Sequence, residues 1–330
     1  MLRIAAAAAI VALGAGFVSL WRMTQMPLKS YKGPLPPLSL AQSELATRLL
    51  VHVRSLSMTI GERNMHRAAS LLAATDYLRS NLVQAGYAVG EHTYTIDGTA
   101  ATNLEAELSG IDHDSELIVV GAHYDSVLGT VGANDNASGV AATLELARLL
   151  KGARLRRIVR FVFFVNEEPP YFQTERMGSL VYARQLRRDG IPVSAMISLE
   201  TIGFYSDAAG SQQYPALLSL FYPSRGNFVG FVGNSESRDL VRRATRRFRE
   251  SAPFPSEGVA APATLPGVGW SDQWSFWEQE YPAIMITDTA IFRYPCYHTP
   301  LDTLDKVDFQ KMARVVDGVR NVVASLADER

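Results

Sequence analysis

Cysteine is nearly absent: Cys296 is the single one in 330 residues. No disulfide can form within the chain, and no thiolate cluster can hold zinc. Any metal must be bound by histidine, aspartate or glutamate. A surplus of charge is missing too. The 32 Lys and Arg face 33 Asp and Glu, for a formal net charge of −1, which lacks the basic footprint of a nucleic-acid binder. There is no internal repeat. The glycine-rich turn GTVGANDNASG (129–139) has no following Gly-Lys-Ser/Thr, so a phosphate loop is excluded. What remains is 47% hydrophobic residues, enough for one large core.

The N-terminus, MLRIAAAAAIVALGAGFVSLWR, has a basic residue, an uncharged stretch over 4–20, then Trp21 and Arg22. It reads as a secretory signal or as a single membrane anchor, and both stay open. Either implies an exported or membrane-anchored protein of the cell envelope, on its periplasmic or extracellular side. The anchor would bring membrane association through residues 4–20. No cysteine follows, so a lipidated cysteine there is excluded. Residues 1–32 are assigned to this segment. The Pro-rich SYKGPLPPLSL (30–40) reads as a linker, assigned to 33–44, and 45–330 as one domain.

Within that domain the hydrophobic period changes along the chain. SLAQSELATRLLVHVRSLS (39–57) and HRAASLLAATDYLRSNLVQAGY (66–87) repeat as helices do. YAVGEHTYTI (87–96) and TNLEAELSG (102–110) alternate as strands. Then SELIVVGAHYD, RRIVRFVFFVNEE, VSAMISLETIG and PAIMIT read as strands. NASGVAATLELARLL, MGSLVYARQLRRDG, ESRDLVRRATRRFRES and DFQKMARVVDGVRNVVASL read as helices. Strands alternating with helices predict a three-layer α/β/α fold with a mixed, mostly parallel sheet. Residues 204–234 and 251–270 are loop-rich. The basic run RRATRRFR (242–249) predicts a solvated helix face, with Leu240, Val241, Ala244 and Phe248 turned inward. Trp270, Trp274 and Trp277, at helical spacing, predict core; an apolar substrate pocket lined by them and Tyr281 is the alternative.

Three hydrophobic strands end in acid or imidazole: one at His123 and Asp125, one at Glu167 and Glu168, one at Glu200. Ligands of open α/β sheets bind beyond the carboxyl ends of the strands, so these groups can meet in one crevice. Asp135 and Asn136 precede a helix, where capping is the ordinary role. The formal glycosylation acceptor at Asn136 is discounted, because a glycan would block the crevice. His298 lies in a late loop between prolines. Oxygen and imidazole donors without sulfur suit Zn²⁺, with Mn²⁺ or Co²⁺ as substitutes, and a pair of metals needs a bridging carboxylate.

Taken in order, GAHYDS (121–126), ANDNASG (133–139), VNEE (165–168), SLETIG (198–203) and YHTP (297–300) resemble the M28 family of zinc peptidases, co-catalytic metallo-aminopeptidases and their relatives. The resemblance runs from about residue 45 to the C-terminus, with SLSMTIGERN, YLRSNLVQAGY and TNLEAELSG similar to the family's lead-in. It implies two zinc ions bridged by Asp135, one completed by His123 and Glu200, the other by Glu168 and His298. It implies Glu167 as general base, Asp125 holding the far nitrogen of His123, and Tyr297 supporting the oxyanion. Asp272 matches a family aspartate near the substrate or behind the ligands, and the Asp135–Asn136 peptide is cis in relatives. Three residues depart from the pattern: Glu200 where many relatives have Asp, Gln273 where His is frequent, and Cys296 where a bulkier residue is common. PPYFQTERMGS (169–179) exceeds the short turn of simple members and would wall the substrate. The resemblance implies a peptide substrate and an aminopeptidase. Glutaminyl cyclase, carboxypeptidase and a receptor-like binding domain are the alternatives.

Overall fold

The computed structural model describes residues 14, 16, 18–112 and 116–329. The uncharged stretch 4–20 lies largely outside them. Among the described residues no helix is long and apolar enough to cross a membrane.

The strands are β1 (Val89–Ile96), β2 (Thr99–Leu108), β3 (Leu117–His123), β4 (Ile158–Phe164), β5 (Val193–Glu200), β6 (Val229–Gly233), β7 (Ser256–Ala260) and β8 (Ala283–Thr287). They form one sheet in the order β1-β2-β4-β3-β5-β8-β6-β7. Its centre, β4-β3-β5-β8, is parallel. β1 and β2 add an antiparallel edge. β6 runs against β8, and β7 parallels β6. The sheet is mixed and mostly parallel, as its sequence pattern predicts.

The helices are α1 (Leu40–Arg54), α2 (Ala68–Gln84), α3 (Ala137–Leu150), α4 (Gly178–Arg188), α5 (Arg238–Ser251), α6 (Gln273–Trp277) and α7 (Phe309–Asp328). α4 and α6 cover one face of the sheet and the rest pack against the other. Alternation along the strands sorts the core. Val159, Phe161 and Phe163 of β4 join the larger cluster, while Val162 and Phe164 join the one under α4 and α6. In β5, Ala195, Ile197 and Leu199 face the larger cluster, yet Val193 faces the other. The register shift between Leu117 and Ile118 explains this, since their β5 partners are Val193 and Ala195. Ser194 is extra, and one extra residue flips the side chains ahead of it.

The structure refines or corrects several of these expectations. The loop-rich stretches contain β6 and β7, short and glycine-bearing strands whose pattern is too brief to read from sequence. The helix α1 begins at Leu40, inside the stretch assigned to the linker, because Ser39 and Gln42 form a capping box. The Pro-rich arm ahead of it is tied down rather than free. Ser30 Oγ accepts from Ser256 N at 2.9 Å, Arg249 Nη1 donates to Pro27 O and Leu28 O, and Arg314 donates to Pro36 O. The inward face of α5 is as predicted, with Leu240, Val241, Ala244 and Phe248 buried. Its arginines are not all solvated, since Arg238, Arg242 and Arg249 hold the arm.

Candidate metal centre

The centre grows from three neighbouring strand ends. His123 closes β3 and Glu200 closes β5, level with each other because Gly121 pairs with Ser198 two residues earlier. β4 stops at Phe164, and Asn166 turns the chain with φ +60° before Glu167 and Glu168. All four side chains are buried, His123 at 1% exposure. The Asp125 carboxylate fixes that turn. Its Oδ1 accepts from the Glu167 N–H at 3.2 Å and its Oδ2 from the Glu168 N–H at 3.1 Å. Asp125 Oδ1 also lies 3.5 Å from His123 Nδ1.

The loop from Tyr124 to Asn136 brings in Asp135. Its peptide to Asn136 is cis, as the resemblance implies. Asn136 is the N-cap of α3, accepting from Gly139 N at 3.1 Å, so the capping role falls to Asn136 and leaves the Asp135 side chain free. The fully buried Asn136 is also unavailable to a glycan. Gly132 has φ +55°, and a Cβ there would lie 2.2 Å from Asp135 O, so only glycine fits. Asp302 accepts from Asn134 N at 2.8 Å and Asp135 N at 3.0 Å. Asn134 reaches Asp288 Oδ2 at 2.9 Å and Gly203 N at 2.9 Å. Beneath the loop Arg63 is fully buried, its guanidinium donating to the carbonyls of Leu56, Gly61, Tyr124, Val131 and Gly132. Burial pushes Arg63 down to about 10, with Asp125, Asp302, Asp135 and Glu168 opposing, so it stays charged at neutral pH.

The side chains divide into two groups around Asp135. Its Oδ1 is 3.4 Å from His123 Nε2, which is also 3.1 Å from Glu200 Oε2. Its Oδ2 is 3.1 Å from His298 Nε2, which is also 3.1 Å from Glu168 Oε2. Glu167 Oε2 is more remote, 3.8 Å from His123 Nε2. Ligand atoms of His123, Glu167 and Glu200, and again of His123, Asp135 and Glu168, lie within 4.8 Å of one another.

So many buried carboxylates demand positive charge. Burial, with Glu200, Glu168 and Asp272 adding, pushes Glu167 well above the usual range against the pull of His123. Burial and Asp135 push Glu168 up to about 8. Against the cost of burial, Asp135 and Glu168 push His298 up to about 10, and the carboxylates around His123 hold it well above its ordinary value. Burial would raise Asp135 too, but the two imidazoles hold it below the usual range. Asp135 Oδ2 is buried and, though 3.1 Å from His298 Nε2, has no partner in hydrogen-bond geometry. Oxygen and imidazole donors around an unsatisfied carboxylate fit a divalent cation such as zinc.

The other predicted residues lie close by. The Tyr297 ring stacks on that of His298, with centroids 3.9 Å apart. Asp272 is fully buried, neither oxygen has a partner, and burial pushes it up to about 7. Gln273 is turned away, donating to Val268 O at 2.9 Å. Cys296 is a buried thiol. Arg63, Asn134 and Asp302 escape a reading of the sequence, since none ends a hydrophobic strand. So does Ser271, whose Oγ donates to Glu200 Oε2 at 2.8 Å.

A cavity of about 100 Å³, partly open to solvent, adjoins the centre at Glu200 and Tyr297. Phe228, Phe231, Met285, Phe292, Tyr222 and Trp270 make its walls largely apolar. Trp270 is thus a wall residue, 41% exposed and ahead of α6, not core. Trp277 packs against the smaller cluster as predicted, and Tyr281 belongs to that cluster rather than to the cavity wall. The segment 169–179 is not among this cavity's walls.

The sequence profile of peptidase family M28 matches residues 103–323. YfbL of Escherichia coli (strain K12), an uncharacterized protein, is 40% identical over 276 residues, covering 81% of this chain and 84% of YfbL. Leupeptin-inactivating enzyme 1 of Streptomyces exfoliatus is 25% identical over 280 residues, covering 84% of this chain and 60% of that enzyme. The crystal structure of Legionella pneumophila LapA aminopeptidase superposes with a TM-score of 0.67 at 18% identity, over 90% of this chain and 78% of LapA, a likeness of fold. Fold and site define a metal-dependent peptidase. The chain belongs to peptidase family M28.

Proposed function

We propose that the protein is an exopeptidase, an aminopeptidase that hydrolyses N-terminal peptide bonds with two zinc ions. One would be held by His123, Asp135 and Glu200, the other by Asp135, Glu168 and His298. The observation that carries this reading is the placement of Asp135, whose two oxygens each face a different histidine–carboxylate pair. Bound there, zinc would supply the charge that acidifies water and polarises the scissile carbonyl. Glu167 lies farther from His123 than Glu200 does, which leaves its carboxylate to take the proton from the attacking water and hand it to the leaving amine. Tyr297, stacked on His298 and facing the cavity, donates its hydroxyl to the developing oxyanion. Asp125 holds the backbone of the two glutamates. The apolar cavity receives a large uncharged N-terminal side chain. LapA and several curated relatives carry aminopeptidase in their names, which supports the reading.

The test combines metal analysis with one variant. The purified chain should hold about two zinc ions and release apolar N-terminal residues from unblocked peptides. Glu167→Gln should keep its metal and lose about 10²- to 10⁴-fold in kcat. Full turnover in that variant would remove Glu167 as the base. One zinc per chain with cyclisation of N-terminal glutamine would favour the cyclase. Release of C-terminal residues would favour the carboxypeptidase, and a metal-free inert chain the binding domain.

A further inference from the structure

Arg238 and Arg242 of α5 meet the N-terminal arm at the end of the sheet opposite the metal centre. Strand register shows the direction. Glu200 pairs with Thr287, the last residue of β8, on the side of the centre. Gly233 ends β6 beside Ile284, near the start of β8, and Ser237 Oγ accepts from Ala283 N at 3.1 Å. The helix α5 therefore begins at the far end. There Arg238 donates to Arg22 O through Nε and Nη2, at 3.2 Å each, and Arg242 to Gln25 O. Arg249, three turns on, holds Pro27 O and Leu28 O. The arm runs along α5 toward the centre, so Arg22 lies at the opposite end.

Two further features share that end. Residues 18–24 are helical, with Val18 at 53% and Trp21 at 49% exposure. Beside them Arg242, Arg243 and Arg246 line an open concavity with Pro27 and Asp239, three guanidiniums against one carboxylate. Arg243 also meets Glu329, whereas Arg246 has no ion-pair partner among the described residues.

We propose that this end of the molecule docks on an anionic phospholipid bilayer. Arg242, Arg243 and Arg246 take headgroup phosphates, Trp21 sits at headgroup level, and the catalytic crevice opens away from the lipid. The chemistry of the surface names the occupant. An uncharged stretch leads into a tryptophan and then arginine, the order that bilayer interfaces select, and the neighbouring concavity is matched to phosphate. A peptide partner would account for the arginines but not for the apolar stretch leading into them. The proposal is independent of the catalytic reading.

The full-length chain is reconstituted in vesicles of phosphatidylcholine alone, or mixed with phosphatidylglycerol, each carrying a headgroup photoprobe. Labelled peptides are then mapped by mass spectrometry. The α5 segment 238–249 should be labelled from the anionic vesicles far more than from the neutral ones, less so in high salt. Replacing Arg242, Arg243 and Arg246 together by Gln should cut that labelling by about tenfold or more. Arg246→Glu, which breaks no contact of the arm, should act in the same direction. Hydrolysis of a soluble peptide by the vesicle-bound chain should match that of the chain in detergent. Equal labelling from both lipids, labelling unchanged by the variants, or labels concentrated around Glu200 and Tyr297 would overturn the proposal. So would α5 occupied by inorganic phosphate but unlabelled by either vesicle.

Discussion

At the scale of single residues, the side chains with most consequence are not all those that would touch metal. Arg63 closes the floor of the centre by donating to five carbonyls, three of them in the loop that carries Asp135. Lysine has a point charge and three donors, and cannot reproduce the planar fork. Arg63→Lys should leave at least two of those carbonyls unsatisfied and destabilise the chain by about 3 kcal/mol. It should also weaken zinc retention on dialysis against a mild chelator. Calorimetry on metal-loaded protein checks the first, and an unchanged melting temperature would refute it. Sequence pattern singles out residues of the proposed centre and is silent on Arg63. His123, Glu167, Glu168 and Glu200 each stop a run of buried hydrophobics, a contrast visible in one dimension. Arg63, Asn134 and Asp302 matter through partners 60 to 170 residues away, and no local pattern records that.

Among elements, the helical layer is held by a buried ionic knot. Glu145 of α3, its side chain 1% exposed, meets Arg48 and His52 of α1 and Arg148 of its own helix, and His52 Nδ1 lies 2.8 Å from Tyr77 Oη of α2. Burial alone would raise the Glu145 pKa. The contacts from His52 and Arg148 outweigh it and hold the group at about 2, against an ordinary 4.5. Its folded-state pKa is lowered, so the stabilisation is complete above pH 4.5 and drains away as the pH falls through about 2. The full contribution is about 3 kcal/mol. Glu145→Gln should lose that amount at pH 7 in urea titrations and show a shallower fall in stability between pH 4.5 and 2 than the parent chain. Parallel pH curves for the two proteins would contradict it. The same scale shows where sequence patterns stop. Long elements such as α7 and β3 announce themselves by period, whereas β6 and β7, five residues each, do not. Those two strands exist because β8 and α5 offer them pairing and cover.

For the whole molecule, the order of the sheet joins the centre to the cavity. β8 lies between β5, which carries Glu200, and β6, so the strands least legible in the sequence build the wall beside the most legible residues. Gly230 of β6 lines that cavity, and a Cβ there meets its nearest neighbour, Thr287 O, at 3.4 Å, an ordinary contact. Gly230→Leu should therefore fold, fill the cavity and raise KM for peptides beginning with Phe or Leu by about tenfold, with little change for those beginning with Gly or Ala. An equal effect on all four substrates would show that the cavity does not receive the N-terminal side chain.

The Asp125 carboxylate grips the backbone of Glu167 and Glu168 without being a ligand in the proposed centre. One carboxylate thus yokes both main-chain N–H groups, so a shift of either glutamate is passed to its neighbour.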